Sequence, residues 1–360
     1  MSRRFSRAAL ALWALFFCAC LGAAQGMPDS AAIRGILQDR IDNKKQSVGI
    51  VVGVVDKNGR QVVGYGKLGQ DRGREPDGDT VFEIGSITKA FTAILLQDMV
   101  ERGEVRLDEP VAKYLPKSVK VPARDGKEIT LLHLATHTSA LSRLPDNMNP
   151  ADLNNPYADY TVEQMYDFLS RYSLPREIGA QYEYSNLGAG LLGHVLALKA
   201  GTDYESLVKK RIAGPLGMNS TGVKLSPELG ARLAQGHNAA GQPASNWDLP
   251  TLAGAGALRS TVNDLLRFVA ANLGLTKTPL TPVLQKTHAT RHDTSIPDVA
   301  IGLGWHVLKK HDSEIAWHNG GTGGYRSFLG FDKAKGIGVV VLSNSESDID
   351  DIGLHLLNPK

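Results

Sequence analysis

The first clear pattern in this chain is a pair of short apolar runs near position 50. Runs rich in β-branched residues at 48–55 and 61–65 flank the segment Asp56-Lys57-Asn58-Gly59. Asn-Gly between two such runs is a strong hairpin signal, because both residues accept the positive φ of a tight turn. We therefore expect two antiparallel strands here.

Helical spacing replaces strand spacing after residue 86. A first amphipathic helix is expected at about 30–44, and beyond residue 86 the pattern stays mostly helical to about 240. Apolar residues spaced three and four positions apart share one face of a helix. The segment that follows Ser86 has this spacing at Ile87, Ala90, Phe91, Ile94 and Leu95.

Two later helices carry recognisable end signals. Residues 187–200 form a helical run that Gly201 ends, since glycine readily adopts the left-handed conformation found after a helix. Residues 258–273 are predicted to be helical, with Ser260 or Thr261 as the N-terminal cap.

Strand signals return near the C-terminal end. Residues 325–331 and 337–342 are predicted strands joined by a turn at 332–336, and 348–357 is a short final helix. With β-structure at both ends and helices between, the simplest fold joins the ends in one sheet. The predicted class is α/β (α+β), an antiparallel sheet flanked by helices with an inserted helical lobe.

This fold predicts one domain over residues 25–360. Its α/β lobe covers about 25–88 plus 240–360, and its helical lobe covers about 89–239. A cleft between such lobes is the natural position for a site.

The first 24 residues are typical of a signal peptide. Three arginines precede an uncharged apolar run at 8–21, and Gly22-Ala23-Ala24 supplies small residues for cleavage. The run is too short to span a membrane comfortably. We expect a periplasmic or secreted protein. Two exceptions stay open: lipid attachment at Cys20, and a twin-arginine signal.

Charge and cysteine content change when this segment is set aside. Cys18 and Cys20 are the two cysteines of the chain, so a cleaved protein has neither a disulfide nor a thiolate nucleophile. The full chain has 40 basic and 37 acidic residues, and the three signal arginines account for the excess. A nucleic acid partner is therefore not expected.

The first chemical motif is Ser86-Ile87-Thr88-Lys89. Residues three apart share a helix face, so the Lys89 amine can reach the Ser86 hydroxyl. A serine beside a lysine base is one way to make a nucleophile. The pattern recurs at Ser206-Leu207-Val208-Lys209. There, charged neighbours favour a solvated helix face.

Two further motifs follow in order. Tyr184-Ser185-Asn186 offers a phenol for proton transfer and an amide that can bind a substrate carbonyl and hold Lys89. On its own, it is more typical of a turn before a helix. His318-Asn319-Gly320-Gly321 precedes the last two strands. Its glycines let a substrate backbone approach a strand, and His318 can donate to a substrate carboxylate or to Tyr184.

In this order, the three motifs resemble those of the class C β-lactamase group, which also contains D-alanyl-D-alanine carboxypeptidases, D-aminopeptidases and esterases. The resemblance spans roughly residues 45–345 and implies a β-lactamase/transpeptidase-like fold. Four more stretches are similar to ones typical of the group: 129–139, 184–188, 215–218 and 302–305.

The resemblance also implies roles for the motif residues. Ser86 would form an acyl-enzyme, and Lys89 and Tyr184 would move its proton, with the principal base left open. The backbone N–H groups of Ser86 and Gly321 would bind the oxyanion. No metal or organic cofactor and no stable protein partner are implied. Asn186, His318 and Gly320 would contact the substrate, which is a β-lactam, a D-Ala-D-Ala peptide or an ester.

Two departures weaken the case for strong β-lactam turnover. Many class C β-lactamases have Lys-Thr-Gly as the third motif, whereas this chain has His318-Asn319-Gly320. They also have a substrate-binding glutamine a few residues after the stretch that corresponds to 129–139, where this chain has Ser142-Arg143-Leu144-Pro145. His133 and His137 have a spacing seen in zinc sites. The resemblance favours packing for that pair.

The leading hypothesis is thus an exported serine hydrolase that acts on β-lactams or D-Ala-D-Ala peptides. A carboxylesterase on the same scaffold is the alternative, with Trp247, Trp305 and Trp317 available to line a cleft. A non-catalytic protein that binds penicillin or peptide is the third reading, which the full set of acid–base residues disfavours.

Overall fold

The strands from the two ends of the chain meet in one sheet, as the sequence predicts. A computed structural model describes residues 27–69, 73–310 and 313–358. The strands in these ranges are β1 (Gly49–Asp56), β2 (Gly59–Gly66), β3 (Val81–Glu83), β4 (Ala123–Arg124), β5 (Lys127–Glu128), β6 (Arg259–Thr261), β7 (His292–Asp293), β8 (Val299–Ile301), β9 (His306–Lys310), β10 (Ser313–Gly321), β11 (Arg326–Asp332) and β12 (Ile337–Ser343).

Eight of the described strands form an antiparallel sheet in the order β2-β1-β12-β11-β10-β9-β8-β7. The first and last parts of the chain join where Ile50 pairs with Ser343 and Val55 pairs with Gly338. This pairing confirms the predicted single antiparallel sheet. The short strands β3 and β6 pair separately, as do β4 and β5.

Eleven α-helices lie in the described ranges. They are α1 (Ser30–Gln38), α2 (Thr88–Glu101), α3 (Leu131–Ala135), α4 (Val162–Arg171), α5 (Asn186–Ala200), α6 (Tyr204–Val208), α7 (Pro227–Ala231), α8 (Ala253–Gly256), α9 (Val262–Leu273), α10 (Thr281–Thr287) and α11 (Asp350–Leu357). Shorter 3₁₀ or π turns occur at Asp39–Asn43, Gly85–Ile87, Val111–Tyr114 and Lys209–Ala213.

Both faces of the sheet are covered, which explains the continuous apolar run of β1. Successive side chains of a strand point to opposite faces. Ile50, Val52 and Val54 belong to a small cluster with α1 and α11, whereas Val51 and Val55 belong to a large cluster that includes α2 and α9. A half-exposed strand would instead alternate apolar and polar residues.

Helix α2 lies at the centre of the large cluster. Every residue from Thr88 to Met99 is buried, so this helix has no polar outer face. A helix that is apolar all round belongs in the interior of a protein. The residues just before α2 are thereby held rigidly at the surface of the core, which positions the first motif.

Most predicted elements are confirmed, and one is wrong at its start. The hairpin, the first and last helices and the C-terminal strands lie within a few residues of their predicted positions. Helix α9 begins at Val262 rather than at 258, because Arg259–Thr261 pairs with Val81–Glu83 as a strand. The Thr261 side chain caps α9 by accepting the Asp264 N–H.

The predicted signal peptide 1–24, with Cys18 and Cys20, lies outside the described residues. None of the helices in the described part of the chain has the length and apolar character needed to cross a membrane. The division into two lobes stays a prediction.

Candidate active site

Ser86 lies in a short 3₁₀ turn, Gly85–Ile87, immediately before α2. The sequence predicts a helix in the segment that follows Ser86, and the α-helix begins two residues after it, at Thr88. Gly85 has φ +48, a conformation that glycine adopts without strain. Between Val81 and Ala90, Ser86 is the one residue that is not buried. The turn therefore presents this hydroxyl to solvent from an otherwise closed surface.

Lys89 lies one turn further on, and its Nζ is 2.9 Å from Ser86 Oγ. The same Nζ donates to Asn186 Oδ1 at 2.9 Å and to the Ala255 carbonyl at 2.7 Å. Only 2% of Lys89 is exposed. Burial, and then the positive charge of Arg143, hold the pKa of Lys89 well below that of an ordinary lysine.

These three contacts fit a neutral amine as well as an ammonium. A neutral amine has two N–H groups, which the carbonyl oxygens of Asn186 and Ala255 occupy. Its lone pair then faces the Ser86 hydroxyl. Lys89 is thus arranged to accept a proton from Ser86.

Tyr184 contacts Ser86 from the helical side of the site. Its hydroxyl donates to Ser86 Oγ at 2.6 Å. Burial raises the pKa of the Tyr184 phenol above its ordinary value, and the hydrogen bond to Ser86 opposes that shift. The phenol is therefore protonated at neutral pH and is positioned to give a proton.

The Tyr184-Ser185-Asn186 motif lies at the start of α5. Ser185 caps this helix by accepting the Gly188 N–H at 2.8 Å, and Asn186 is its first residue. Asn186 Nδ2 donates to the Tyr157 hydroxyl at 3.1 Å. Since Oδ1 accepts from Lys89, both ends of the amide are fixed. The predicted contact between Asn186 and Lys89 is confirmed.

His318 lies on β10 and is 1% exposed. Its Nδ1 lies 2.6 Å from the Asn319 carbonyl, which can only accept, so Nδ1 carries the proton. Nε2 is buried without a partner in the described residues. Burial, and then the neighbouring His306, hold the pKa of His318 well below its ordinary value.

This environment bears on the donor role that the sequence predicts for His318. A neutral imidazole protonated at Nδ1 offers a lone pair at Nε2, not an N–H. The ring centres of His318 and Tyr184 are 6.4 Å apart. Donation to a substrate carboxylate would require a second proton or the other tautomer.

The end of β10 approaches the Ser86 turn very closely. A Cβ atom on Gly320 would lie 2.1 Å from the Ile84 carbonyl oxygen and 2.9 Å from Ser86 N. A Cβ atom on Gly85 would lie 2.7 Å from Gly321 N. Only glycine permits these contacts, which bring the backbone of Gly321 beside that of Ser86.

The second Ser-x-x-Lys sequence has no such surroundings. Ser206 is exposed on α6, and its Oγ bonds Asp203 Oδ2 at 2.6 Å. Lys209 pairs with Glu205 at 2.7 Å. Its interpretation as a solvated helix face is confirmed.

Three partners of the site were not predicted from the sequence. The Ala255 carbonyl on α8 and the Tyr157 hydroxyl hold Lys89 and Asn186. Arg143, noted in the sequence only because a glutamine is missing, places its Cζ 5.1 Å from the centre of the Tyr184 ring. No residue type in the sequence indicates that the backbone carbonyl of Ala255 will contact a lysine. Arg143, in contrast, is a charged residue that could have been proposed as part of the site from the sequence.

The two histidines with zinc-like spacing have other partners. His133 takes part in the cap of α3, where its Nδ1 accepts the Thr130 N–H at 3.1 Å. His137 Nδ1 accepts the Ser185 N–H at 3.2 Å. No cluster of three potential ligand residues of the His, Cys, Asp or Glu type occurs in the described ranges.

The three tryptophans that the sequence suggests could line a cleft lie in different parts of the structure. Trp305 is fully buried and stacks on Phe268. Trp317 stacks on Phe328 in the small cluster. Only Trp247 lies near the site, where it packs against Tyr157 with ring centres 5.4 Å apart. The prediction that all three tryptophans are available to a cleft is therefore wrong for Trp305 and Trp317, whose aromatic surface is used by the core.

The chain is similar in sequence to proteins of the beta-lactamase family. A family model described as Beta-lactamase matches residues 32–355. The D-alanyl-D-alanine-carboxypeptidase/endopeptidase AmpH of Escherichia coli K12 is 32% identical over 319 residues, covering 84% of this chain and 81% of AmpH. A beta-lactamase of Pseudomonas fluorescens is 25% identical, covering 87% of this chain and 93% of that protein.

A solved structure gives the same result for the fold. The beta-lactamase/D-alanine carboxypeptidase from Yersinia pestis, crystallised with citrate, superposes with a TM-score of 0.78 at 26% identity. The match covers 91% of this chain and 96% of the Yersinia chain. The predicted fold class is confirmed.

Proposed function

The chain belongs to the beta-lactamase family and is a serine hydrolase of the class C beta-lactamase and D-alanine carboxypeptidase kind, and from this premise we propose that it cleaves peptides ending in D-alanyl-D-alanine through an acyl-enzyme on Ser86. The observation that carries the proposal is the position of Ser86 Oγ, 2.9 Å from Lys89 Nζ and 2.6 Å from Tyr184 Oη. The peptide substrate is suggested by AmpH, the relative at 32% identity.

In the first step, the neutral amine of Lys89 takes the Ser86 proton while Oγ attacks the substrate carbonyl carbon. Lys89 suits this role because its pKa is depressed and two of its contacts are carbonyl oxygens. The oxyanion is bound by the N–H groups of Ser86 and Gly321, which the close approach of β10 brings together.

In the second step, the C–N bond breaks and the leaving amine needs a proton. Tyr184 is the donor, because its phenol is protonated and directed at Ser86. The Lys89 ammonium then returns a proton to Tyr184. In deacylation the proton moves the other way: as water attacks the ester carbonyl, Tyr184 takes the water proton and passes its own to the neutral Lys89 amine. The Lys89 ammonium then protonates Ser86 Oγ as the ester bond breaks, which releases the shortened peptide and frees Ser86.

The side-chain amide of Asn186 is proposed to bind a carbonyl oxygen in the acyl part of the substrate. Its side chain is held by Lys89 and by Tyr157, so that little orientational freedom is lost on binding. His318, Gly320 and Gly321 on β10 are proposed to contact the leaving D-alanine. The same arrangement accepts a β-lactam, which is a cyclic amide.

The matched pair of Ser-x-x-Lys sequences provides the test. We expect Ser86→Ala to lower D-alanine release from a D-Ala-D-Ala peptide by at least about a thousandfold. Ser206→Ala, which changes an exposed serine bonded to Asp203, should leave it unchanged. Full activity in Ser86→Ala would overturn the proposal. Activity on short aryl esters alone would instead identify a carboxylesterase.

The protein is further proposed to be exported, because the proposed substrate belongs to the cell wall and the first 24 residues are typical of a signal peptide. The intact mass of protein purified from the periplasm tests this proposal. A chain starting near residue 25 supports cleavage, a lipidated chain starting at Cys20 supports anchoring, and a full-length chain contradicts both.

A further inference from the structure

Arg143 is an exposed cation that lies over the site without a counter-ion. Its guanidinium carbon is 5.1 Å from the centre of the Tyr184 ring. Within the described ranges, no carboxylate forms an ion pair with it. Two exposed arginines elsewhere on the protein are, in contrast, ion-paired: Arg102 with Asp98 at 2.9 Å, and Arg106 with Asp108 at 2.9 Å. Arg143 is therefore free to bind an anion from solution.

The backbone of Arg143 is fixed to the second motif. Its carbonyl accepts the Asn186 N–H at 3.0 Å and the Leu187 N–H at 3.2 Å. The preceding carbonyl, of Ser142, accepts the Ser185 hydroxyl at 2.7 Å. This loop therefore moves with the first turn of α5. The backbone of Arg143 consequently keeps a defined position relative to Asn186.

The positive charge of Arg143 affects the pKa of two side chains of the site, Lys89 and Tyr184. It lowers the pKa of Lys89, second only to burial, and it acts in the same direction on the phenol of Tyr184. The guanidinium also lies beside a residue of the proposed mechanism, 5.1 Å from the centre of the Tyr184 ring. A bound carboxylate there would pair with it in a bidentate manner.

We propose that Arg143 binds a carboxylate on the acyl part of the substrate, the part that stays on Ser86 after the leaving group departs. The inference rests on the proposed function, in which the leaving D-alanine lies along β10. Arg143 instead belongs to the helical wall beside Asn186, where the acyl part is bound. The preferred substrates are then amides whose acyl part carries a second, side-chain carboxylate.

Two penicillins provide the matched probes. Benzylpenicillin and α-carboxybenzylpenicillin differ by one carboxylate on the acyl side chain. The second-order acylation rate constant is measured for each, by intact mass after acid quenching, and the ratio of the two is compared between variants. The ratio cancels any general effect of Arg143 on Lys89.

We expect Arg143→Gln to lower the ratio of α-carboxybenzylpenicillin to benzylpenicillin about tenfold, which is typical of one lost charge-assisted contact. Arg143→Lys should restore only part of it, because the charge is retained but the bidentate geometry is lost. The control is Arg60→Gln, which removes another exposed arginine at the far end of β2. That variant should keep the wild-type ratio.

The outcomes separate this inference from the proposed function. An unchanged ratio in Arg143→Gln, with both penicillins still acylating Ser86, overturns the role of Arg143 and leaves the function intact. An equal loss with both probes also overturns it, because the residue then acts only on the catalytic groups. If the wild-type protein reacts with neither penicillin nor peptide, the proposed function fails and this inference fails with it.

Discussion

Lys89 Nζ lies 2.9 Å from Ser86 Oγ, and the lysine is almost completely enclosed by protein. A buried lysine loses the hydration that stabilises its charge, so its neutral form is populated at a lower pH than that of an exposed lysine. The arrangement makes the serine a nucleophile only when Lys89 is deprotonated. The pH dependence of acylation therefore reports on this pair.

The first prediction concerns that pH dependence. Because the pKa of Lys89 is depressed, the acylation rate should rise with pH well below the ordinary lysine value and then level off. Arg143→Gln removes a charge that contributes to the depression, so the rise should move to higher pH. Pre-steady-state acylation across pH 5–10 is the measurement. A rise only near pH 10 in the wild type would exclude a depressed Lys89.

The second prediction separates two neighbouring tyrosines. Tyr184 donates to Ser86 Oγ at 2.6 Å, whereas the Tyr182 hydroxyl lies 2.9 Å from His306 Nε2. Tyr184→Phe should lower the acylation rate by about a hundredfold or more, the usual value of a positioned proton donor. Tyr182→Phe should stay within a few-fold. Equal losses in the two variants would contradict a specific role for Tyr184.

The third prediction tests the approach of β10 to the nucleophile. Gly320→Ala places a methyl group 2.1 Å from the Ile84 carbonyl oxygen, so the strand must move away from Ser86. We expect acylation to fall at least about tenfold, since displacements of about 1 Å are costly to catalysis. Gly35→Ala, where no atom lies within 4 Å of the new Cβ, is the control. Wild-type rates in Gly320→Ala would contradict a role for this contact.

The fourth prediction concerns stability in acid. Burial lowers the pKa of His306 to about 4, from an ordinary value of 6.5. Between these values the unfolded chain binds a proton that the folded chain does not, so the free energy of unfolding falls as the pH drops from about 6.5 to about 4. The shift corresponds to about 3 kcal/mol. Burial shifts His137, His288 and His318 in the same direction.

Urea unfolding between pH 7 and pH 4 measures this loss. His306→Gln should lose less stability over the interval than the wild type does, because one titrating group is absent. The control is His355→Gln, which changes an exposed histidine on α11 and should keep the wild-type dependence. Parallel curves for His306→Gln and wild type would show that His306 does not contribute.

Local signals in the sequence predict much of the fold. Asn58-Gly59 predicts the β1–β2 hairpin, and Gly201 predicts the end of α5, because each needs a backbone conformation that few residues adopt. The sequence predicts a helix from residue 258, but residues 259–261 form strand β6. Their pairing with β3, 176 residues away, depends on tertiary contacts that no local window contains.

The site was predictable in its side chains but not in its backbone partners. Ser86, Lys89, Tyr184 and Asn186 have distinctive motifs, and the fold brings them within hydrogen-bond distance of one another. The Ala255 carbonyl is a property of chain path rather than residue type. The buried environment that leaves Nε2 of His318 without a donor proton likewise depends on packing around β10.

The role of Ser86 as the nucleophile can be tested by trapping the acyl-enzyme. The purified mature protein is mixed with a chromogenic cephalosporin, quenched in acid at intervals, and analysed by colour, intact mass and peptide mapping. We expect a single adduct on Ser86 that Ser86→Ala abolishes and Ser206→Ala does not. A lasting adduct with stalled colour would indicate a trapped peptidase, and sustained colour a working β-lactamase. Neither colour change nor adduct in the wild type, an adduct on another residue, or undiminished colour change in Ser86→Ala would contradict this role of Ser86.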